Sequence, residues 1–424
     1  MLTVIKNGKV VDPGNVVGHY DVWIMDGSVD EVVPSGEKAI PVDAEVIDAE
    51  GLLVVPGLID VHVHLREPGE EYKETIETGA LSAAAGGFTA VCAMPNTKPV
   101  NDTPEVTSFI VKQAREAGYA KVYPVAAITG GLSGASLCEY GELKRAGAVA
   151  ISDDGRPVED GQIMRRAMEY AKGFQMLIIS HCEELSLVAG GCMNEGLTAT
   201  HMGLAGIPNI SESMMVIRDI SLAELTGAHL HVAHVSTPES IEAIREAKKR
   251  GVSVTAETAP HYFTLTDEAV KGYNTNAKMN PPLRTEKDRQ AVRAALADGT
   301  LDVIATDHAP HSILEKDLEF NRAMNGIIGL ETSLPLSLEL VRDGVLTLEQ
   351  LVTRMSKKPA QILGLDNSLT QGNTADITLI DEHAEWTAVA SEMHSKSTNT
   401  PFEGWALKGR AVQTIVDGKT VYGG

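Results

Sequence analysis

Aromatic side chains are scarce in this chain, with 3 Trp, 6 Phe and 9 Tyr among 424 residues. A core of that size must therefore be filled by Ala, Val, Ile and Leu, the usual filling of a parallel-strand barrel. Cysteine is scarce too: Cys92, Cys138, Cys182 and Cys192 form no CxxC pair and no dense framework. That pattern excludes a disulfide scaffold and reads as reduced thiols of a cytoplasmic protein. Positive charge is short, 36 Lys and Arg against 58 Asp and Glu, for a net charge of -22. Nucleic acid and anionic membranes both demand a basic face, so neither is an expected partner. A small anionic substrate stays open, because one local arginine can override a distant global field. No apolar run approaches the roughly 20 residues of a membrane span, and the start, MLTVIKNGKVVDPG, lacks the apolar stretch of a signal peptide.

Hydrophobic content of 43% and charged content of 22% are ordinary for a globular enzyme. The length suits one large α/β domain with a smaller appendage. Residues 1–52 read as short strands broken by turns, with hairpin signals at Asn7-Gly8 and Asp26-Gly27; residues 366–424 behave alike, with another Asp-Gly step at Asp417-Gly418. These two ends are expected to build one composite β-sandwich. Between them, residues 53–365 alternate eight apolar strands with helical stretches: LLVVPGLIDVH, FTAVCAM, KVYPVAAI, GAVAISD, QMLIIS, HLHVAHV, VSVTAE and LDVIAT. Eight alternations over that length predict a (β/α)8 barrel of the TIM type. A doubly wound sheet would want a glycine-rich phosphate loop after its first strand, and none is there.

Metal-capable residues recur at the ends of these strands, where a barrel places its active site. The first strand ends in His62 and His64, the second runs into Asn96, and the fourth into Asp153-Asp154-Gly155; the fifth ends in His181, the sixth in His234, and the eighth in Asp307. At i and i+2 on a strand, His62 and His64 point to one face and can reach one ion at roughly 2.0–2.1 Å. Four imidazoles exceed the needs of one open catalytic zinc site. Two ions roughly 3.5–4 Å apart would account for them, with Asp153 or Asp154 holding the pair together. Such a pair acidifies water and polarises a carbonyl, which suits hydrolysis of an amide or ester, with a carboxylate moving the proton. His308 and Glu257 are expected to be structural, His229 and His231 fall inside the sixth strand, and His261 has no required role.

The run IDVHVHLREPGEEYKETIETGALSAAAGGFTAVCAMPNTKP resembles the dihydroorotases of the amidohydrolase superfamily, as do AISDDGRPV, SHCEE, HVAHVST, KMNPPLR, ATDHAPH and GIIGLET in the family's order. HLREPG with CAMPNT is specific, whereas HxH marks only the superfamily. The resemblance implies that His62, His64 and Asp307 hold one zinc ion, that His181 and His234 hold a second, and that Asp154 bridges them. It implies that Arg66, Asn96 and His311 hold the substrate carboxylate, that His64 and Asn280 meet the substrate, and that Asn325 and Gly326 meet it through backbone groups. Arg66 makes independent sense, since a guanidinium pairs bidentately with a carboxylate. The implied reaction is reversible closure of N-carbamoyl-L-aspartate to (S)-dihydroorotate and water in pyrimidine synthesis, with Asp307 relaying the proton.

Close relatives separate on single residues. Hydantoinases, dihydropyrimidinases and one dihydroorotase type bridge their metals with a carboxylated lysine, whereas AISDDG carries none, so the chain resembles the aspartate-bridged type. Allantoinases share HxH and an EPG-like run, but Arg66 before Glu67-Pro68-Gly69 favours the dihydroorotase reading. Some relatives are inactive subunits that support an aspartate carbamoyltransferase; those are expected to have lost ligand histidines, and all four are intact here. A homodimer, and a complex with that transcarbamoylase, are the partners the resemblance implies. One departure is the MNG before GIIGLE, where relatives usually carry Phe or Pro ahead of the glycine. The loop from about Ala309 to Asn325 lacks periodicity and is expected to cover the substrate.

Overall fold

The computed structural model describes residues 1–423. Eight strands, Leu58–Val63, Phe88–Ala93, Lys121–Ala126, Ala150–Ser152, Leu177–Ser180, Leu230–Val232, Val254–Thr258 and Val303–Ile304, form one parallel sheet in chain order. The ring closes where His64 N–H donates to the His308 carbonyl at 2.8 Å, beside a parallel bridge between Val63 and His308. Ile59, Ala90, Cys92, Val125, Ala150, Leu177, Ile179 and Val303 join six of these strands in one apolar cluster with no aromatic member among its fully buried residues.

The covering helices form where the sequence supplies caps and a stripe. In Pro238–Lys249, Pro238 occupies the first turn, where its missing N–H is not needed, and the Thr237 hydroxyl accepts from Ser240 N–H. Ile241, Ile244 and Ala247 recur at three-residue spacing and are buried, so one apolar stripe faces the barrel. Helix Pro104–Ala117 stops at Gly118 and Glu286–Asp298 at Gly299, both left-handed. No helix among the described residues is long and apolar enough to cross a membrane.

Both chain ends contribute to a nine-stranded mixed sheet, six strands from residues 2–56 and three from 377–423. Strand Val16–Met25 pairs with Lys9–Asp12 through its first half and with Leu2–Lys6 through its second. The two halves thereby enclose a common core of Ile5, Val10, Val22, Ile24, Val54, Ile377, Leu379 and Ile415.

Two local readings are corrected. LLVVPGLIDVH is two strands rather than one: Leu53–Pro56 pairs antiparallel with Ile377–Ile380 in the terminal sheet, and only Leu58–Val63 enters the barrel. Residues 53–56 thus sit with the terminal strands, because this continuous apolar run is buried in two different cores and its periodicity carries no mark of the change. Asn7-Gly8 is not a hairpin. The strands on either side of it pair with successive parts of Val16–Met25 and not with each other. Gly8 is required there by close approach, since a Cβ would lie 2.4 Å from Val54 Cγ2. The Asp26-Gly27 and Asp417-Gly418 steps do form two-residue hairpins, all four residues having positive φ.

Candidate metal and carboxylate site

One carboxylate lies at the centre of the barrel's carboxyl end. Asp154 Oδ1 stands 3.4 Å from His62 Nε2, 3.6 Å from His181 Nδ1 and 3.7 Å from His234 Nε2, while its Oδ2 stands 3.5 Å from His64 Nε2. These separations exceed hydrogen bonds but are close to those of donors sharing an ion, since ligands at roughly 2.0–2.2 Å in a tetrahedron lie roughly 3.3–3.6 Å apart. His62 Nε2 and Asp154 Oδ1 are buried without a hydrogen-bond partner, a costly arrangement unless something else satisfies them. Two groups of residues can each hold a metal ion: His62, His64 and Asp154, and then Asp154, His181 and His234. The donor set therefore suits two ions sharing Asp154.

The far nitrogens fix the tautomers. His62 Nδ1 lies 2.6 Å from Glu257 Oε1, His64 Nδ1 2.9 Å from Asn96 Oδ1, and His181 Nε2 3.3 Å from Glu183 Oε2. A carboxylate or amide oxygen only accepts, so each of these nitrogens carries a proton, and the opposite one is the atom that would present its lone pair to a bound ion. His181 Nδ1 and His234 Nε2 converge to 2.8 Å, both facing Asp154. Burial opposes ionisation of Asp154, but His62, His181 and His234 outweigh it and hold the group well below the usual carboxylate range.

The Asp153–Asp154 ambiguity resolves on contacts. Asp153 turns away and accepts the N–H of Ile128 at 2.8 Å, the N–H of Thr129 at 3.0 Å and the Thr129 hydroxyl. It ties the third strand's end to the fourth. Asp307 faces inward, 3.1 Å from His64 Nε2 and 3.7 Å from His62 Nε2. Its φ of 49° is left-handed, a strained conformation that a non-glycine residue holds only when its surroundings impose it. Burial raises its pKa, but His64, His62 and His234 more than offset that, so it stays an acceptor.

Beside this centre lies a cavity of about 420 Å³ lined by His64, Arg66, Asn96, Asn280, His311, Asn325 and Gly326 among others. All the expected substrate contacts thus share one wall system with Asp154, His181, His234 and Asp307. Arg66 Nε donates to the Pro310 carbonyl at 3.1 Å, and its Nη2 sits 3.3 Å from His311 Nε2. Burial and the cations Arg66, Lys73 and Lys316 push the His311 pKa far down, so the ring is neutral; its Nε2–H donates to the Asn325 carbonyl at 2.8 Å. Because Asn96 spends its carbonyl on His64, its amide NH2 is the group left for a ligand. The 309–326 segment does line the cavity, with one short helix at Ile313–Lys316. Gly326 has φ 130°, and a Cβ there would meet the Ala309 carbonyl at 2.9 Å. Its own N–H donates to the Lys278 carbonyl and its carbonyl accepts from Asn399 and Lys316. In this state Gly326 therefore offers the cavity shape rather than a backbone hydrogen bond.

Sequence reasoning underrated four groups. Glu257, expected to be structural, orients His62 and also lies 3.1 Å from His231 Nε2; its position at a strand end was the available signal. Glu183, two residues past His181, was not singled out. Lys278 lines the cavity, and Lys316 holds the loop by donating to the carbonyls of Met324 and Gly326 at 2.8 and 3.0 Å. A cation whose partners are backbone carbonyls of an irregular segment leaves no pattern to read. His308 is structural, as expected, between Glu74 and the Gly329 N–H. His261 is buried with no partner for Nε2, and burial lowers its pKa to about 4, so it is neutral.

Residues 51–240 match the family model described as dihydro-orotase-like. Among curated relatives, the dihydroorotase of Desulfotalea psychrophila is 60% identical over 424 residues, covering 100% of both chains. That of Desulforapulum autotrophicum is 58% identical over 422 residues, covering 100% of this chain and 99% of the relative. Among solved structures, the L-hydantoinase (dihydropyrimidinase) of Arthrobacter aurescens matches with a TM-score of 0.88 at 27% identity, over 99% of this chain and 96% of that one. The dihydropyrimidinase of Brevibacillus agri matches with a TM-score of 0.86 at 25% identity, over 100% and 95%.

Proposed function

This chain belongs to the dihydroorotase family and is a hydrolase of a cyclic amide, and we propose that it runs the dihydroorotase reaction on an aspartate-bridged pair of zinc ions. The substrate is (S)-dihydroorotate in ring opening and N-carbamoyl-L-aspartate in closure. The observation that carries the site assignment is the placement of Asp154 between His62, His64, His181 and His234. Nitrogen and carboxylate donors with no thiolate suit zinc, and all four cysteines are free and buried, none of them in the two groups that can hold an ion, in keeping with a reducing, cytoplasmic setting.

His62, His64 and Asp307 would hold one ion, and His181 and His234 the other, with Asp154 common to both. When bound, the ions supply a water acidified toward neutrality and an electrophile for the ring carbonyl. The protein's own groups do the rest. Arg66 pairs with the substrate carboxylate, with Asn96 NH2 and His311 beside it, and this anchors the ring so that its scissile amide meets the metal-facing wall. Asn280 lines the opposite side, its amide tethered to Glu183 Oε2 at 3.0 Å. Asp307 takes the proton of the attacking water and delivers it to the ring nitrogen as the C–N bond breaks; in closure it acts as the acid.

Hydantoinases and dihydropyrimidinases share the barrel, and they are the competing reading. Turnover of dihydroorotate, dihydrouracil, hydantoin and allantoin by one metal-loaded preparation separates the two. Dihydroorotate is expected to be preferred by orders of magnitude, and preference for any uncarboxylated ring would overturn the substrate assignment.

A further inference from the structure

The segment HSKSTN, residues 394–399, lies between two strands of the terminal sheet, Ile377–Thr387 and Ala406–Val416. It nevertheless spends its polar groups on the barrel's loops. Ser395 Oγ and Lys396 N–H donate to Glu74, and Ser397 Oγ donates to the Lys73 carbonyl at 2.7 Å, so the segment grips the loop that follows Arg66. Asn399 then grips the other loop. Its Nδ2 donates to the carbonyls of Ala309 at 3.1 Å and Gly326 at 3.0 Å, and its Oδ1 accepts the His311 N–H at 3.0 Å. Its own backbone carbonyl accepts Ile328 N–H at 2.9 Å.

Two carbonyls and one N–H admit a single orientation of this amide, because the carbonyls need donors and the N–H needs an acceptor. Asn399 is buried, so each bond is shielded from water; its loss would orphan the Ala309 carbonyl and the His311 N–H, while the Gly326 carbonyl would keep Lys316 Nζ. The three bonds join both ends of the loop that carries His311. They set where His311 starts relative to Pro310, whose carbonyl receives Arg66.

We propose that Asn399 is a positioning residue for carboxylate recognition: the terminal-sheet segment holds Arg66 and His311 in register from both sides, and Asn399 fixes the His311 side. The inference rests on the reading of Arg66 and His311 as the carboxylate clamp. A clamp whose two halves belong to loops some 240 residues apart in sequence gains affinity from being preorganised rather than closed on binding. A side chain from the third region of the chain supplies that preorganisation.

The test uses the full-length, metal-loaded enzyme and two ligands: dihydroorotate as substrate, and dihydrouracil, the same ring without the carboxylate, as competitive inhibitor. Asn399→Ala is expected to raise the KM for dihydroorotate about tenfold or more, leaving the dihydrouracil inhibition constant within about twofold and the metal content unchanged. A structural role alone would lower the active fraction and leave both constants where they were. An unchanged KM, or a parallel rise in both constants, overturns the proposal. Asn399→Asp keeps the volume and the acceptor for His311 N–H but sets an acceptor against the Ala309 and Gly326 carbonyls. It is expected to shift the same KM in the same direction, and a wild-type KM in that variant overturns the proposal even if the alanine variant does not fold. Absence of dihydroorotate turnover in the wild type would sink the functional reading instead.

Discussion

Glu257 Oε1 lies 2.6 Å from His62 Nδ1, and the same carboxylate reaches His231 Nε2 through its other oxygen at 3.1 Å. One buried acid thus clamps the first metal-facing imidazole in the tautomer that leaves Nε2 free. Loss of such a partner typically costs 10–100-fold in metal affinity. Glu257→Gln is expected to weaken metal retention by about that factor in a chelator competition, with most turnover restored by excess zinc. Unaltered retention would show that His62 is oriented by packing alone.

Asp307 has a different task. As the group that moves the proton between water and ring nitrogen, its replacement by Asn should lower kcat by about 10²–10⁴ with KM nearly constant, measured at saturating metal. Near-normal turnover of Asp307→Asn with metals bound would refute the proton-relay role.

Arg66→Lys keeps the charge and loses the planar fork. A charge-assisted hydrogen bond contributes about 1.5–3 kcal/mol, so the KM for dihydroorotate should rise roughly 10–100-fold. Dihydrouracil inhibition, which involves no carboxylate, should barely change. Equal effects on both ligands would place Arg66 outside the clamp.

His394 and Glu331 give a pH-dependent tie at the terminal sheet. Their side chains meet at 3.0 Å, and Glu331 also accepts the His394 backbone N–H at 2.7 Å. The hydrogen bond to Glu331 raises the His394 pKa above its ordinary value. A raised histidine pKa contributes stability that is full below the unfolded pKa of about 6.5 and is lost as pH climbs through the folded one. The pair is partly exposed, so its contribution is at most about 1 kcal/mol. Urea unfolding of wild type and His394→Gln should therefore differ most near pH 6 and converge by about pH 9. A gap that is constant with pH would contradict the pairing.

Much of this was legible in the sequence. The eight barrel strands and the recurrence of His62, His64, the Asp153–Asp154 pair, His181, His234 and Asp307 at their ends followed from apolar runs ending in polar residues, while the choice of Asp154 within its pair came with the family resemblance. Those signals survive because strand order in a parallel barrel equals chain order, so ligands at strand ends converge by topology alone. What escaped were relationships between segments with no local pattern. Leu53–Pro56 and Leu58–Val63 look like one strand because both are buried on all sides. Asn7-Gly8 imitates a hairpin because close packing and a turn both call for glycine. Asn399 could not be found at all: an asparagine in an irregular segment acquires meaning only when the backbone groups of Ala309, His311 and Gly326 are placed around it.

The most direct test of the central claim is a zinc titration of the metal-stripped protein, followed at each step by dihydroorotate turnover and by bound metal per chain. Activity should rise to a plateau at two ions per chain in the wild type, and Asp154→Ala should lose both the second equivalent and the turnover. Full turnover in the stripped protein, a plateau at one ion, or an Asp154→Ala variant that binds two ions and turns over normally would contradict the aspartate-bridged pair.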